Sequence, residues 1–525
     1  MQKKFDTSDD GLRAESASEA GPARSAPKTS KSGSGLGTGT PGPGTAAPIS
    51  GTTEPEGRRP EGLPRTVGEL RASGYQVLPV KEEVRKNALA KIRAGEPLFP
   101  GIYGYDDTVI PQVENALLAG HDIVFLGERG QAKSRIIRCF RDLLDEYVPI
   151  LKGSEVNDNP YAPISRYGKD LLEEMGDDAE IEWIPRSRRY VEKLATPDAS
   201  VADLIGEVDP VRVAEGRYLS DELTIHYGLV PRTNRGIFVI NELPDLAERV
   251  QVALLDVLEE RDVQIRGYTI RLPLDVMLVV SANPEDYTSR GRIITPLKDR
   301  FGSQIRTHYS PDVETELRIV DQEARIPSLD GKRLAVPEFM RQIVGEITHK
   351  ARRSNSISQV SGVSVRLTIS NYELLIANAL RRAERTGEDE VVPRISDLWA
   401  LAASMAGKLE IEAFSDTQES RVIEQVIKEA ILSVFRRMVR TDRYKSLLAK
   451  FEEGKTVEVG DDLPAKDVIE SCDPGPQVTK ELQALGVGES PGTLASAIEF
   501  VLEGRHLTRR LNKAVLGGRA QYSRS

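Results

Sequence analysis

The order of apolar and helical stretches predicts an α/β fold, a parallel sheet with helices on both faces, followed by a helical region. Three observations predict it. Short continuous apolar runs of strand length (Ile123 to Leu126, Ile237 to Ile240, Val276 to Val280) are separated by helical patterns such as Leu246 to Glu259. Such runs suit strands covered on both faces, and helical crossovers between them make the sheet parallel. Each run closes in polar residues, where open parallel sheets carry their ligand chemistry.

The first run leads into His121-Asp-Ile-Val-Phe-Leu-Gly-Glu-Arg-Gly-Gln-Ala-Lys-Ser134. Gly127, Gly130, Lys133 and Ser134 fall at the spacing G-x-x-x-x-G-K-S, with Glu128, Arg129, Gln131 and Ala132 between them. Ile136, Ile137, Phe140, Leu143 and Leu144 then mark one face of a helix. Strand, loop and helix together form a phosphate-binding context. Backbone N–H groups and the helix N-terminus would surround the phosphates, Lys133 would neutralise the terminal ones, and the Ser134 hydroxyl would hold Mg²⁺. Ala132 stands where a last glycine is usual. Its Cβ is harmless at negative φ but costs about 1–2 kcal/mol if the loop needs a left-handed residue.

Of the 525 residues 39% are hydrophobic, and residues 1–65 hold almost no large apolar side chains. Lys31 to Gly44 is Gly-, Ser- and Pro-rich and cannot bury enough surface to offset chain entropy, so 1–65 is expected to be a disordered tail. No segment reaches the roughly 18 apolar residues of a membrane span, and a soluble, cytoplasmic protein is expected. Cys139 and Cys472 do not suggest a disulfide framework, and the five histidines show no metal-ligand spacing. A net charge of −10 argues against general nucleic-acid binding.

Before the loop, Glu82 to Arg93 and Val109 to Ala119 read as helices, with Phe99 to Tyr105 as a connection. Ile102 to Tyr105, including Tyr103, is a candidate pocket for a nucleotide base; a surface loop with a half-buried tyrosine is the alternative. Arg189 to Leu194 suggests an edge-like strand, and Ser303 to His308 a weaker further one. Asn241-Glu242 closes the run ending at Ile240. At such a position one side chain enters the Mg²⁺ shell and a carboxylate orients the attacking water. Glu242 can take the water, while Asn241 is a neutral amide where aspartate is usual. Asn283, at the next strand end, can reach the γ-phosphate or the same water. Residues 195–235 form a long insertion, and 262–272, around Arg266-Gly267, a β-hairpin.

From Pro311 the pattern is helical: Val313 to Glu323, Pro337 to Arg352, Val365 to Arg385, Ile395 to Glu412 and Val422 to Phe435. The expected units are an α/β domain at 66–310, a helical lid at 311–440, and a charged linker with a small helical extension at 441–525. The linker is 441–463. The extension ends in an amphipathic helix, Leu494 to Leu502, and a basic run with Arg505, Arg509, Arg510 and Lys513, which reads as a solvated face or, alternatively, a surface for an acidic partner.

In this order the phosphate loop, Asn241-Glu242, Asn283, Thr295-Pro-Leu-Lys-Asp-Arg-Phe-Gly302 and Ser364-Val-Arg366 resemble the motifs of AAA+ ATPases, in the branch of the magnesium chelatase I subunit and the MoxR proteins, over residues 97–410. The resemblance implies that Lys133 and Ser134 belong to Walker A, Asn241 and Glu242 to Walker B, and Asn283 to sensor 1. Arg300 would be an arginine finger given to a neighbouring subunit and Arg366 sensor 2, although either arginine could instead be a surface ion-pair residue. ATP and Mg²⁺ would be the cofactors, the metal shared by Ser134, Asn241 and Glu242. A homo-oligomeric ring, of six subunits by the family pattern, would remodel a partner carrying a von Willebrand factor A domain. Narrower or different readings are a magnesium chelatase subunit serving a porphyrin, and a nucleotide-dependent switch with little catalysis. Asn241 and Ala132 depart from the family pattern, so slow turnover is expected. No GAFTGA-like loop lies between the Walker regions, which disfavours an enhancer-binding activator.

Overall fold

In the computed structural model the described residues are 62–209, 222–259, 272–283, 291–358, 362–411, 416–439 and 444–524, all within one compact unit. Most of the expected tail, and the expected hairpin up to residue 271, lie outside them. The last tail residues are tied down: Trp183 Nε1 donates to the Pro64 carbonyl and Ile181 N to the Arg65 carbonyl, each at 2.9 Å.

Five parallel strands form the central sheet: β1 (Ile123–Leu126), β2 (Tyr190–Leu194), β3 (Gly236–Asn241), β4 (Val276–Ala282) and β5 (Ser303–Arg306). Their order is β2-β3-β4-β1-β5. Leu126 lies opposite both Ala282 and Arg306, and Leu194 opposite Asn241, so the C-terminal ends of the strands line up. Alternate residues feed two cores. Val124, Phe238, Ile240, Leu278 and Val280 pack with Leu254 on one face. Ile123, Phe125, Ile237, Val239 and Val279 meet Val113, Ile136, Ile137 and Phe140 on the other. The helices Val80–Ala94, Val109–Leu118 and Glu248–Glu259 lie close to their expected spans.

Two antiparallel pairs decorate the sheet. Tyr147–Leu151 pairs with Ile181–Pro185, in a stretch where the sequence pattern suggested no strand. Pro149 and Pro185 within the pair obscure it, since proline is a poor ladder residue. Gly206–Val208 pairs with Ile225–Tyr227 inside the expected 195–235 insertion, of which residues 210–221 are outside the description.

Helices Val313–Glu323, Glu338–Ala351, Val365–Thr386 and Asp416–Met438 form the lid as expected. One expected helix differs. Ile395–Leu401 is a 3₁₀ segment followed by a single α turn, Ala402–Met405, and Gly407 at φ 71° prevents continuation. Its start is pinned by buried Asp397, which accepts from Arg394 N at 2.8 Å and Arg382 Nη2 at 2.9 Å. Such a tethered aspartate favours a tight turn over a regular helix.

The largest correction concerns residues 441–525. A single core runs from Val320 to Tyr522, so lid and extension share their interior. The stretch expected as a linker holds a helix, Lys445–Glu452, and a strand, Val457–Val459. Glu452, Glu453, Glu458 and Asp462 are exposed while Tyr444, Leu447, Phe451, Val457 and Val459 are buried. Arg394 Nη1 donates to the Leu463 carbonyl at 2.9 Å, and Ala465 N to Glu388 at 2.8 Å, fixing this stretch to the lid. The helix expected to be amphipathic, here Pro491–Leu507, is buried almost all round from Thr493 to Arg505. It leads into the ribbon Leu511–Leu516/Arg519–Arg524. The basic run is accordingly divided: Arg505 is buried and Lys513 pairs with Glu503 at 2.7 Å, while Arg509 and Arg510 are exposed. Among the described residues no helix is long and apolar enough to cross a membrane.

Candidate functional site

The loop after β1 turns back over the sheet through two glycines. A Cβ on Gly127 would strike the Thr307 hydroxyl and the Gln131 amide, and Gly130 has φ 78° and lies against Ser364. Gln131 is buried and staples the loop: its Oε1 accepts from Glu128 N at 3.0 Å and from the Thr307 hydroxyl at 2.8 Å. Ala132 has φ 56° and ψ 11°, the left-handed conformation that penalises a Cβ. The alanine therefore carries the strain of about 1–2 kcal/mol that a glycine would not. Ala132→Gly is expected to raise thermal stability by about 1 kcal/mol, checked by paired thermal melts; an unchanged or lower Tm contradicts the strain.

The helix Lys133–Cys139 follows directly. Lys133 is only 7% exposed, and its ammonium is held in the loop by the carbonyls of Gly127 and, at 2.9 Å, Glu128. Ser134 is half-buried on the first turn. A buried cation ringed by backbone amides and a helix N-terminus can neutralise the terminal phosphates of a nucleotide.

Polar groups cross the strand ends from β2 to β4. Asn241 ends β3 and is 9% exposed. Its Nδ2 donates to Glu192 on β2 at 2.6 Å, and its Oδ1 accepts from the Ser281 hydroxyl on β4 at 3.1 Å. Glu242 N donates to the same hydroxyl at 3.3 Å. Glu242 itself has φ 56° and ψ 47°, a strained conformation for a glutamate that turns the chain sharply after the strand. Glu192 also accepts from Arg138 Nε at 3.0 Å and Nη2 at 3.1 Å. This hydrogen bond holds the guanidinium above its ordinary range, against the opposing effect of partial burial. Asn283 is fully buried just beyond β4, and among the described residues neither its Oδ1 nor its Nδ2 meets a partner. Two orphaned polar atoms at a strand end are costly unless a ligand or water answers them.

These elements and the lid enclose a cavity of about 490 Å³ lined by Lys133, Ser134, Glu242 and Arg366 together with Tyr103. Its volume suits a nucleotide. Arg366 comes from the first turn of Val365–Thr386, where the Ser364 hydroxyl accepts from Arg366 N at 3.2 Å. Tyr103 is half-buried, with Arg318 stacked 4.4 Å from its ring centroid, and Ile102 and Tyr105 are buried beside it. The Tyr105 hydroxyl lies 2.8 Å from the Gln131 carbonyl and 2.7 Å from the His308 carbonyl, and burial pushes its pKa well up. Ile319 and Ile369 from the lid add apolar wall, and Tyr309 touches the loop through its hydroxyl, 3.3 Å from the Arg129 carbonyl. Apart from Arg366, none of these lid and post-β5 residues is visible as a site residue in the sequence, because the fold alone brings them to the loop.

Asn241, Asn283 and Arg300 do not line that cavity. Asn241 reaches the site's edge through Glu242 and Ser281. Arg300 closes the helix Thr295–Arg300 beside Asp299, 3.1 Å from its carboxylate, with a side chain 38% exposed. The lining residues fit a Mg²⁺-nucleotide: a buried lysine, a helix-start hydroxyl and a strained glutamate stand around one cleft, with the orphaned Asn283 amide outside the lining. When bound, Mg²⁺ would neutralise phosphate charge; Ser134 and Glu242 in the lining would hold it directly or through water, with Asn241 behind them, bonded to Glu192 and Ser281.

Residues 215–297 match the Sigma-54 interaction domain family. The chain is 27% identical over 243 residues to the magnesium-chelatase subunit ChlI-2 of Arabidopsis thaliana, spanning 45% of this chain and 54% of that protein. It is 29% identical over 233 residues to the magnesium-chelatase subunit ChlI of Nostoc sp., spanning 43% and 58%. The match thus spans little more than half the length of these curated relatives. A solved structure modelling the complex between subunits BchI and BchD of magnesium chelatase aligns at 20% identity and TM-score 0.31, over 63% of this chain and 98% of that one. With the ordered motifs carried on a five-stranded parallel sheet under a helical lid, the chain has an AAA+ type of fold, and its sequence is similar to the magnesium chelatase I subunit branch of the AAA+ ATPases.

Proposed function

We propose that the chain binds Mg·ATP in this cavity and hydrolyses it in a homo-oligomeric ring, using the cycle to remodel a partner protein. The observation that carries the reading is the convergence of Lys133 and Ser134 from the loop, Glu242 from the end of β3 and Arg366 from the lid on one cavity. Lys133 binds the terminal phosphates, and Glu242 orients water for attack on the γ-phosphorus, taking up its proton as the bond to the β-phosphate breaks. Arg366 reads the nucleotide from the lid, so its state can be passed to lid orientation. Asn283, outside the lining and without a side-chain partner among the described residues, would approach the γ-phosphate from the end of β4.

Arg300, outside the protomer's own cavity, suits delivery to a neighbour's site and hence a ring, of six subunits by family pattern. A partner with a von Willebrand factor A domain, and MoxR-like, chaperone-like work on it, follow from resemblance. Service to a magnesium chelatase is supported by the ChlI similarities, although among the described residues no porphyrin site is evident. A switch with little turnover is the second reading, motivated by Asn241 in place of a carboxylate and by strained Ala132. Specific ATPase activity should rise with protein concentration over the range in which sedimentation shows assembly. Activity independent of concentration contradicts a shared active site.

A further inference from the structure

We propose that Glu192, on the neighbouring strand, supplies the negative charge of the metal shell that Asn241 lacks. The inference deepens the nucleotide reading and rests on it. Register puts the two side chains on one face of the sheet: Leu194 lies opposite Asn241, and Glu192, two residues earlier, points the same way as Leu194. That face also carries Ile237 and Val239, which pack against Ile136 and Ile137 of the helix that starts with Lys133 and Ser134. Arg138 stands four residues after Ser134, one turn along the same side of that helix. The Glu192 carboxylate is therefore clamped between the strand end where an acidic residue is usual and the helix that presents Ser134.

Its hydrogen bonding leaves room for a further donor. Oε1 accepts from Asn241 at 2.6 Å and from Arg138 Nη2 at 3.1 Å, while Oε2 accepts only from Arg138 Nε at 3.0 Å among the described residues. A carboxylate offers about four acceptor sites, so Oε2 could accept a hydrogen bond from a water held by a bound Mg²⁺. Arg138 does not need this carboxylate for solvation, because its side chain is 64% exposed. Nor does Asn241 need a charge, since a neutral acceptor would satisfy its amide. Relative to a glutamine, a glutamate at this point adds the charge, which here pairs with the exposed Arg138.

The test exchanges charge and amide across the hydrogen bond. Glu192→Gln keeps an amide oxygen for Asn241 but removes the charge. Asn241→Asp alone would set two carboxylates 2.6 Å apart, where one must protonate. The double variant Glu192→Gln/Asn241→Asp keeps one charge and one hydrogen bond, reversed. ADP affinity of the full chain is measured by calorimetry with Mg²⁺ and with EDTA. We expect Glu192→Gln to lose about tenfold of the Mg²⁺-dependent gain while keeping the EDTA affinity, and the double variant to regain most of it. An unchanged gain in Glu192→Gln overturns the assignment, and so does a loss that the folded double variant fails to recover. Parent protein that binds no ADP in either buffer overturns the nucleotide reading first, and this assignment with it.

Discussion

Glu242→Gln is expected to reduce ATP turnover by about 10² to 10⁴-fold while leaving Mg·ATP binding close to that of the parent. The side chain stands at the end of β3 and lines the cavity with Lys133, Ser134 and Arg366. An amide of the same shape still holds a water by hydrogen bonding but takes up no proton. Its backbone is strained at φ 56°, and a folded site is retained because glutamine meets the same constraint. Single-turnover ATPase assays with a parallel binding titration read both quantities. Turnover within a few-fold of the parent contradicts the role, and equal loss of binding and turnover makes the residue a binding determinant.

Arg300→Ala is expected to lower turnover by about 10³-fold or more, because an arginine supplied in trans stabilises charge on the transferring phosphoryl group. Within one protomer Arg300 lies beside Asp299 and outside the cavity lining, so the loss should not affect the fold of its own site. Mixing Arg300→Ala with Glu242→Gln protein gives a sharper result than either alone. Each variant is inactive, yet an Arg300→Ala protomer has an intact Glu242 and can receive an arginine from a Glu242→Gln neighbour. Recovery of turnover on mixing is the expected outcome. Two folded, assembled variants that stay inactive together contradict delivery in trans.

The phosphate loop and the sheet were legible because their signals are local. An apolar run ending in Gly127, a fixed glycine and lysine spacing and a helical repeat each occupy few residues. The strand-end pair Asn241-Glu242 was legible for the same reason, as were lid helices such as Val313–Glu323 with a steady period. The rest depends on distant partners. Glu192 reads as an ordinary charge on an edge strand until the pairing of Leu194 with Asn241 brings it beside Asn241. Tyr309, Ile319 and Ile369 join the cavity only because the lid folds back over the loop. The linker expected at 441–463 is charged in sequence, and its buried positions mark two short elements, Tyr444, Leu447 and Phe451 at helical spacing and Val457 and Val459 at strand spacing, each too brief to stand out among the charges. Leu494 to Leu502 reads as amphipathic around Glu499, yet Glu499 and the following Glu503 are both buried. Their partners explain the burial: Glu499 accepts from Ser396 N at 2.8 Å, and Glu503 meets Lys513 at 2.7 Å. Polar residues enter a core when such bonds satisfy them, and composition alone does not show it.

Isothermal calorimetry of the full chain with Mg·ATP tests the central claim most directly, with Lys133→Ala as the matched variant. Saturable heat is expected for the parent, with at least about a tenfold loss of affinity on removing the buried ammonium proposed to neutralise the terminal phosphates, and the fold intact by circular dichroism. A folded parent that gives no heat of binding, or a Lys133→Ala variant that binds as tightly as the parent, would contradict it.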